Sequence, residues 1–457
     1  MKTIIVGINH AGTSALRTLL AQNAENEIVA YDRNDNISFL GCGIALTVSG
    51  VVKNPKDLFY CTPEKLEAKG AKINMSHDVI SIDSEAQTVK VKNLKTGEEF
   101  NNFYDKLIYA AGSWPIEIPN IPAENANLEN VDVCKLFQHA EELIRKADEP
   151  SIKSVAIVGS GYIGVELAEA YHIKGKKVTL IDFDNRILPR YFDEEFTSIV
   201  EEQLQKDGIT LALGEKVVDF YGEDGKVKKV ITDKGEYQAD LVIKSIGFSP
   251  NTKLLPTAEK TANGALIVDK HMRTSLPNIY AVGDAVAMYH AAYEKNVQVA
   301  LATNAVKSGI VAASNINGNE AVKVNSVVGT NAINVFGNKM ASTGISEEAA
   351  KRQGIPVGVS YVEDNDRPEF MEEFTSTRFK IVFEKDTLRI LGAQVASSGD
   401  GESHTETIYY LALAIQQKLT LLDVAFTDVY FLPHFNKPFN FVLASIMQAL
   451  GLDYYNE

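Results

Sequence analysis

The chain has 457 residues, 45% of them hydrophobic and 23% charged, with a net charge of −15. That length is a soft prior for about three domains, and the composition is that of a globular protein. The acidic balance argues against nucleic acid or an anionic membrane as a main partner, since both demand a basic face; no apolar run approaches the ~20 residues that span a bilayer, and no signal-peptide pattern opens the chain.

The first element is a β-branched strand, Ile4-Ile5-Val6, running into Gly7-Ile8-Asn9-His10-Ala11-Gly12 and a helical segment. A second strand, IVAYD, ends at Asp32, about 20 residues past the last glycine, the spacing at which an acid reaches a ribose hydroxyl. Cys42 then stands in FLGCGIAL, and the other two cysteines, Cys61 and Cys134, are too distant for a C-x-x-C pair. A lone thiolate beside a dinucleotide site can cycle through a sulfenic acid or a mixed disulfide, whereas Cys61 and Cys134 read as small buried residues. So few cysteines fit a reducing interior, hence a cytoplasmic setting.

A short helix from Pro63 to Lys69 follows, then the hairpin pattern VISIDSEAQTVKVKN and a buried strand entering a glycine turn, LIYAAGSWP. Residues 120–152 carry an acidic helix and a polar linker. The opening pattern then repeats as Ala156-Ile157-Val158-Gly159-Ser160-Gly161-Tyr162-Ile163-Gly164, and its second strand, VTLIDFD, ends at Asp182. The first glycine permits the tight turn, the second admits a pyrophosphate, and the third lets helix approach strand; the helix N-terminus faces the phosphate charge. Asp182 favours NADH over NADPH, because a carboxylate repels a 2′-phosphate. In the first unit Asn9 replaces the middle glycine. IGFSPN and TSLPNIYAVGDAV read as a return to the first domain, with Gly283-Asp284 able to bring a carboxylate to a flavin ribityl chain. Beyond 326 the character changes to a hairpin, FKIVFEKDTLRILGAQVA, an apolar helix (406–417) and a last helix near 438–450.

Taken in order, GINHAGT, ISFLGCGIAL, LIYAAGSWP, GSGYIGVELAEA, IGFSPN, YAVGDAV and ALATNAVKSG make the whole chain resemble the pyridine nucleotide–disulfide oxidoreductase superfamily. The resemblance points to its single-cysteine branch of water-forming NADH oxidases, NADH peroxidases and coenzyme A-disulfide reductases, where GxNHAG with asparagine is typical. It implies an α/β, glutathione reductase-like fold of two Rossmann-like nucleotide-binding domains plus a C-terminal α+β dimerisation domain. The implied division is an FAD domain in two parts (1–120 and 246–325), a connecting segment (121–152), an NADH domain (153–245) and a dimerisation domain (326–457) that makes a homodimer.

By the same resemblance, Gly7, Gly12 and Asp32 hold the ADP part of FAD, and Asn9 and Arg33 belong to the cofactor-binding set. Asp284 holds the ribityl chain, Ala300, Leu301, Ala302 and Thr303 lie along the isoalloxazine, and Ala111, Gly112 and Gly247 complete the cofactor-binding set. Gly159, Gly161, Gly164, Tyr162, Tyr191 and Asp182 hold NADH, with Ile163 and Glu166 near the nicotinamide. Cys42 and His10 are the implied catalytic pair, His10 bonding a sulfenate or delivering protons. His434, in FLPHFNKP, is implied to approach the flavin of the partner subunit.

The implied reaction passes hydride from NADH to FAD and reduces dioxygen to water, with no metal. The alternative is a peroxidase that takes hydrogen peroxide. LGCGIAL, and Val306 where peroxidases tend to carry arginine, favour the oxidase. Gly43-Ile44-Ala45-Leu46-Thr47 lacks the proline and paired tyrosines expected of a coenzyme A-disulfide reductase.

Overall fold

In the computed structural model, which describes residues 1–22, 26–399 and 401–452, strands β1 (Lys2–Val6) and β2 (Glu27–Asp32) pair in parallel, Ile4 opposite Val29 and Val6 opposite Tyr31. Both are almost wholly buried, which is why they read as continuous apolar runs rather than as alternations. Helix α1 (His10–Gln22) joins them and turns Ala15, Leu16 and Leu19 inward. A short helix, α2 (Ile44–Ser49), follows the cysteine. Strands β3 (Lys72–Met75) and β4 (Lys106–Tyr109) extend the sheet on its two sides. Between them the expected hairpin, 77–83 with 88–93, gains a third antiparallel strand at 99–103. The helix expected to reach Lys69 ends at Glu67.

The segment 121–152 does more than connect. Its strand β5 (Val131–Val133) joins the second sheet, and helix α3 (Phe137–Asp148) buries Ala140, Leu143 and Ala147 in the core around that sheet. The second unit repeats the first. Strands β6 (Ser154–Val158) and β7 (Lys177–Asp182) flank helix α4 (Tyr162–Ile173), then come helix α5 (Glu194–Lys206), β8 (Thr210–Leu213) and β9 (Leu241–Lys244). The five strands of this sheet are parallel, in the order β8-β7-β6-β9-β5, and a three-stranded antiparallel sheet (217–223, 226–232 and 236–238) stands between β8 and β9 in the chain.

The chain then returns to the first sheet. Strand β10 (Ile279–Ala281) pairs with β4, giving the order β10-β4-β1-β2-β3. Helix α6 (Ala302–Ile316) lies against α1, where Ser14 Oγ–H donates to the Val306 carbonyl (2.9 Å). Two short strands, 113–115 and 248–250, pair antiparallel where the chain crosses between units.

The last unit is an antiparallel sheet of β11 (Asn331–Val335), β12 (Asn338–Gly344), β13 (Val357–Asn365), β14 (Ser376–Glu384) and β15 (Ile390–Ser398), ordered β11-β12-β15-β14-β13. Helix α7 (Glu347–Arg352) leads into β13, and α8 (Ile408–Gln416) and α9 (Phe441–Ala449) cover the sheet, close to the two helices expected from sequence. Phe379, Ile381, Ile390 and Leu411 sit at 0% exposure in its core, each such side chain stabilising the fold by ~2 kcal/mol of transfer free energy. No helix among the described residues is long and apolar enough to cross a membrane.

Candidate active site

Both fingerprint loops are built by steric necessity. Gly7 (φ +91°) and Gly159 (φ +108°) turn the chain in the left-handed region, and a Cβ there would meet the Ala110 and Ser245 carbonyl oxygens at 2.4 and 2.5 Å. Gly12 and Gly164 let each helix press onto its own loop, for their Cβ atoms would strike the Gly7 and Gly159 carbonyl oxygens. Gly161 differs: nothing lies within 4 Å of the Cβ it lacks. Its openness is what a pyrophosphate requires, and α4 starts there with no acid in its first turn to oppose an anion. Asn9 occupies the matching place before α1, also a helix without acid in its first turn, and lines the same cavity as Gly161.

The two acids end their strands as expected and do a second job. Asp32 Oδ2 accepts the Ile8 N–H (2.7 Å) and its Oδ1 the Asn34 N–H (2.8 Å). Asp182 Oδ2 accepts both the backbone N–H (2.5 Å) and the hydroxyl (2.7 Å) of Ser160. Each carboxylate therefore fastens its own glycine loop. Burial pushes the Asp32 carboxyl up, against the pull of those two backbone donors. Arg33 is exposed beside it.

A cavity of about 2090 Å³ runs between the units. From the first unit it is lined by Asn9, His10 and Cys42, and from the return segment by Gly247, Asp284 and Ala300 to Thr303. The second unit contributes Gly159, Gly161, Tyr162, Ile163, Glu166, Asp182 and Tyr191. Helix α6 opens at Ala302 without an acid in its first turn, a third helix N-terminus at this space. Gly7, Gly12, Asp32, Arg33, Ala111, Gly112 and Gly164 do not line the cavity; the three fingerprint glycines shape the loops behind it, and Ala111 and Gly112 form the turn after β4. Asn9, Gly161, Asp182 and the helix N-termini face one space, a set that fits the pyrophosphates of two dinucleotides, while Asp32 fastens its loop behind it.

Cys42 sits in a single 3₁₀ turn (Gly41–Gly43) ahead of α2, reached by solvent, while Cys61 and Cys134 are buried; all three are free thiols. The walls around Cys42 push its thiol up, and the Glu166 carboxylate pushes the same way. Among the described residues, its own backbone N–H is what favours the thiolate. Glu166, desolvated and facing the charge of Glu169, is raised to about 7. His10 is lowered chiefly by burial, which outweighs Asp284. Tyr162 and Tyr191 pack with ring centroids 4.4 Å apart, and the Tyr162 hydroxyl donates to Asn331 Oδ1 on β11. His434 is exposed and does not line the cavity.

Two contacts escape sequence reasoning. The Tyr60 ring stacks on His10, its hydroxyl 3.1 Å from Nδ1. Lys135 Nζ reaches Ser113 Oγ (2.9 Å) and Asp284 Oδ2 (3.3 Å) and lies 4.2 Å from the centroid of the Phe248 ring. Neither sits at a motif spacing. A lone lysine after the buried Cys134 was the only available signal, and a weak one.

Comparison with known proteins agrees with this architecture. Residues 1–309 match the family described as pyridine nucleotide-disulphide oxidoreductase, and residues 331–440 match its dimerisation domain. An NADH oxidase of Mycoplasma pneumoniae is 51% identical over 99% of this chain and 98% of its own length. One from Enterococcus faecalis is 46% identical over 98% of this chain and 99% of its own length. The structure of a water-forming NADH oxidase from Lactobacillus brevis, bound to NADH, superposes with a TM-score of 0.95 at 40% identity, covering 99% of this chain and 98% of that one. On its motifs, its paired Rossmann sheets and these matches, the chain belongs to the pyridine nucleotide-disulphide oxidoreductase family.

Proposed function

We propose that this protein is a cytoplasmic, homodimeric, FAD-dependent NADH oxidase that reduces dioxygen to water. The observation that carries the reading is the placing of Cys42 in the one cavity that both glycine loops face. In the first unit the α1 N-terminus and Asn9 take the FAD pyrophosphate, Asp32 takes its ribose, and Asp284 with Ala300 to Thr303 takes the ribityl chain and ring. In the second, Gly161 and the α4 N-terminus take the NADH pyrophosphate, and Tyr162, Ile163, Glu166 and Tyr191 enclose the nicotinamide end. Bound there, FAD supplies a two-electron carrier between NADH and dioxygen. The chain's part is to hold donor and acceptor in register.

Cys42 completes the reduction. Its thiolate attacks peroxide formed from the first two electrons; the S–O bond forms as the O–O bond breaks, and His10 supplies the proton that makes the first water. Two electrons from a second NADH, with a proton, then cleave the S–O bond of the sulfenic acid. That step restores the thiolate and releases the second water. In sum, two NADH, two protons and one dioxygen give two NAD+ and two water molecules.

Asp182 selects NADH. An engineered mutant of the Lactobacillus brevis enzyme, described as a water-forming NADPH oxidase, carries an aspartate-to-alanine change followed directly by alanine-to-arginine, with a proline-to-arginine change further on. Asp182 and Pro189 stand at the separation of that aspartate and proline. The reaction is tested by comparing NADH and oxygen consumed and assaying peroxide at the end. Accumulated peroxide in the unmodified protein defeats the water-forming reading, and oxidation of NADH only when peroxide is supplied identifies a peroxidase.

A further inference from the structure

The segment between β7 and α5 is irregular, yet it presents Pro189, Arg190 and Tyr191 to the cavity. Leu188 within it holds φ +51°, a left-handed conformation that leucine adopts only when its surroundings impose it. The Leu188 N–H donates to the Ser160 carbonyl (3.0 Å), and the last unit ties the segment further along. Asp193 begins α5 but gives that helix no side-chain cap. Its carboxylate instead accepts the N–H groups of Glu347 (3.0 Å) and Glu348 (3.0 Å), in the first turn of α7. Gln394 grips the same residue twice: its Oε1 accepts the Asp193 N–H (2.7 Å), and its Nε2 donates to the Asp193 carboxylate (2.7 Å).

Lys380 stands directly opposite Gln394 across β14 and β15. Its side chain is 1% exposed, with Nζ 2.7 Å from Glu347, 2.8 Å from Glu195 and 3.2 Å from Asp193. A second tie holds the segment's middle, where Arg186 and Arg352 both donate to the Pro189 carbonyl (3.3 and 3.2 Å). A buried, fully bonded charge cluster is a poor way to gain stability but a good way to fix a register.

We propose that Lys380 and Gln394 are positioning residues for NADH, acting through Asp193 to set where Tyr191 meets the nucleotide. The inference rests on the assignment of the second crevice to NADH. Lys380→Met in the flavin-loaded, full-length enzyme should raise the KM for NADH and the dissociation constant for NAD+ by about tenfold, with kcat held within about twofold, since a shift of ~1 Å in a positioned group costs that much or more. Amide exchange at Asp193, Glu347 and Glu348 should quicken, and Lys380→Arg should restore most of the affinity. Gln394→Leu, which leaves the charges paired, gives the same reading if Lys380→Met does not fold. An unchanged KM in either folded variant, or a fall in kcat at constant KM, overturns the proposal. An unmodified protein that consumes no NADH defeats the oxidase reading instead, and the NAD+ titration separates the two failures.

Discussion

Cys42 lies among groups that oppose its ionisation, since desolvation and the Glu166 carboxylate both favour the thiol while its own amide favours the thiolate. A nucleophilic role thus depends on what fills the cavity beside it, as thiolate character follows local positive potential. Cys42→Ser should still oxidise NADH in air but release hydrogen peroxide, roughly one per NADH consumed, as the balance without the sulfur requires; a peroxide assay that finds only water removes Cys42 from the mechanism. Glu166 gives a pH prediction at the same scale. Its carboxyl is raised from 4.5 to about 7 in the folded chain. Between those values the folded protein keeps a proton that the unfolded chain has lost, so the contribution is full below 4.5 and is lost as pH rises to about 7. Glu166→Gln should therefore flatten the decline of melting temperature between pH 5 and 8 and gain on the unmodified protein at the upper end. An identical slope in thermal melts of the two proteins would show that Glu166 is not raised.

At the scale of elements, the two loops separate glycines that shape the chain from the glycine that admits a ligand. Gly159→Ala would push a Cβ against the Ser245 carbonyl at a positive φ, so it should cost ~1–3 kcal/mol of stability, a drop visible by calorimetry. Gly161→Ala meets open space and should leave the melting temperature nearly unchanged while raising the KM for NADH; equal destabilisation by both would refute the distinction. These loops were legible in the sequence because strand, turn and acid are local and their spacing is fixed by geometry. So were the hairpin of β14 and β15 and the two covering helices, from turn residues and apolar runs. Strand β5 was not, because three residues of intermediate burial carry no period, and only pairing with β9 makes them a strand. Tyr60 on His10, Lys135 on Asp284 and Lys380 on Asp193 were equally hidden: each joins residues far apart in the chain, and nothing local marks either member.

At the scale of the whole molecule, the last unit leaves large apolar side chains in solvent. Phe426 is 76% exposed, Tyr430 70% and Tyr409 66%, with Leu413 and Phe435 also open. Soluble monomers seldom carry so many in one region, and residues 331–440 match a dimerisation domain. Sedimentation of the purified protein should give a dimer, and Phe426→Asp with Tyr430→Asp should yield monomers at micromolar concentration. A double variant that still sediments as a dimer would place the interface elsewhere.

On the proposed reading, the carboxylate of Asp182 would tie recognition of the sugar to the shape of the phosphate loop, because its Oδ2, at the end of β7, also accepts the Ser160 amide and hydroxyl. The two halves of a bound NADH would then be read by one mechanically shared part. Changing the preference for the 2′ position by altering this acid alone will also slacken the turn that greets the pyrophosphate, so the losses for NADH and for a truncated ligand such as AMP will not be independent. A double-mutant cycle between Asp182→Ala and Ser160→Ala would expose that linkage as a coupling of ~1 kcal/mol. Altering cofactor choice in this protein is therefore a matter of re-tensioning a loop as well as recolouring a pocket.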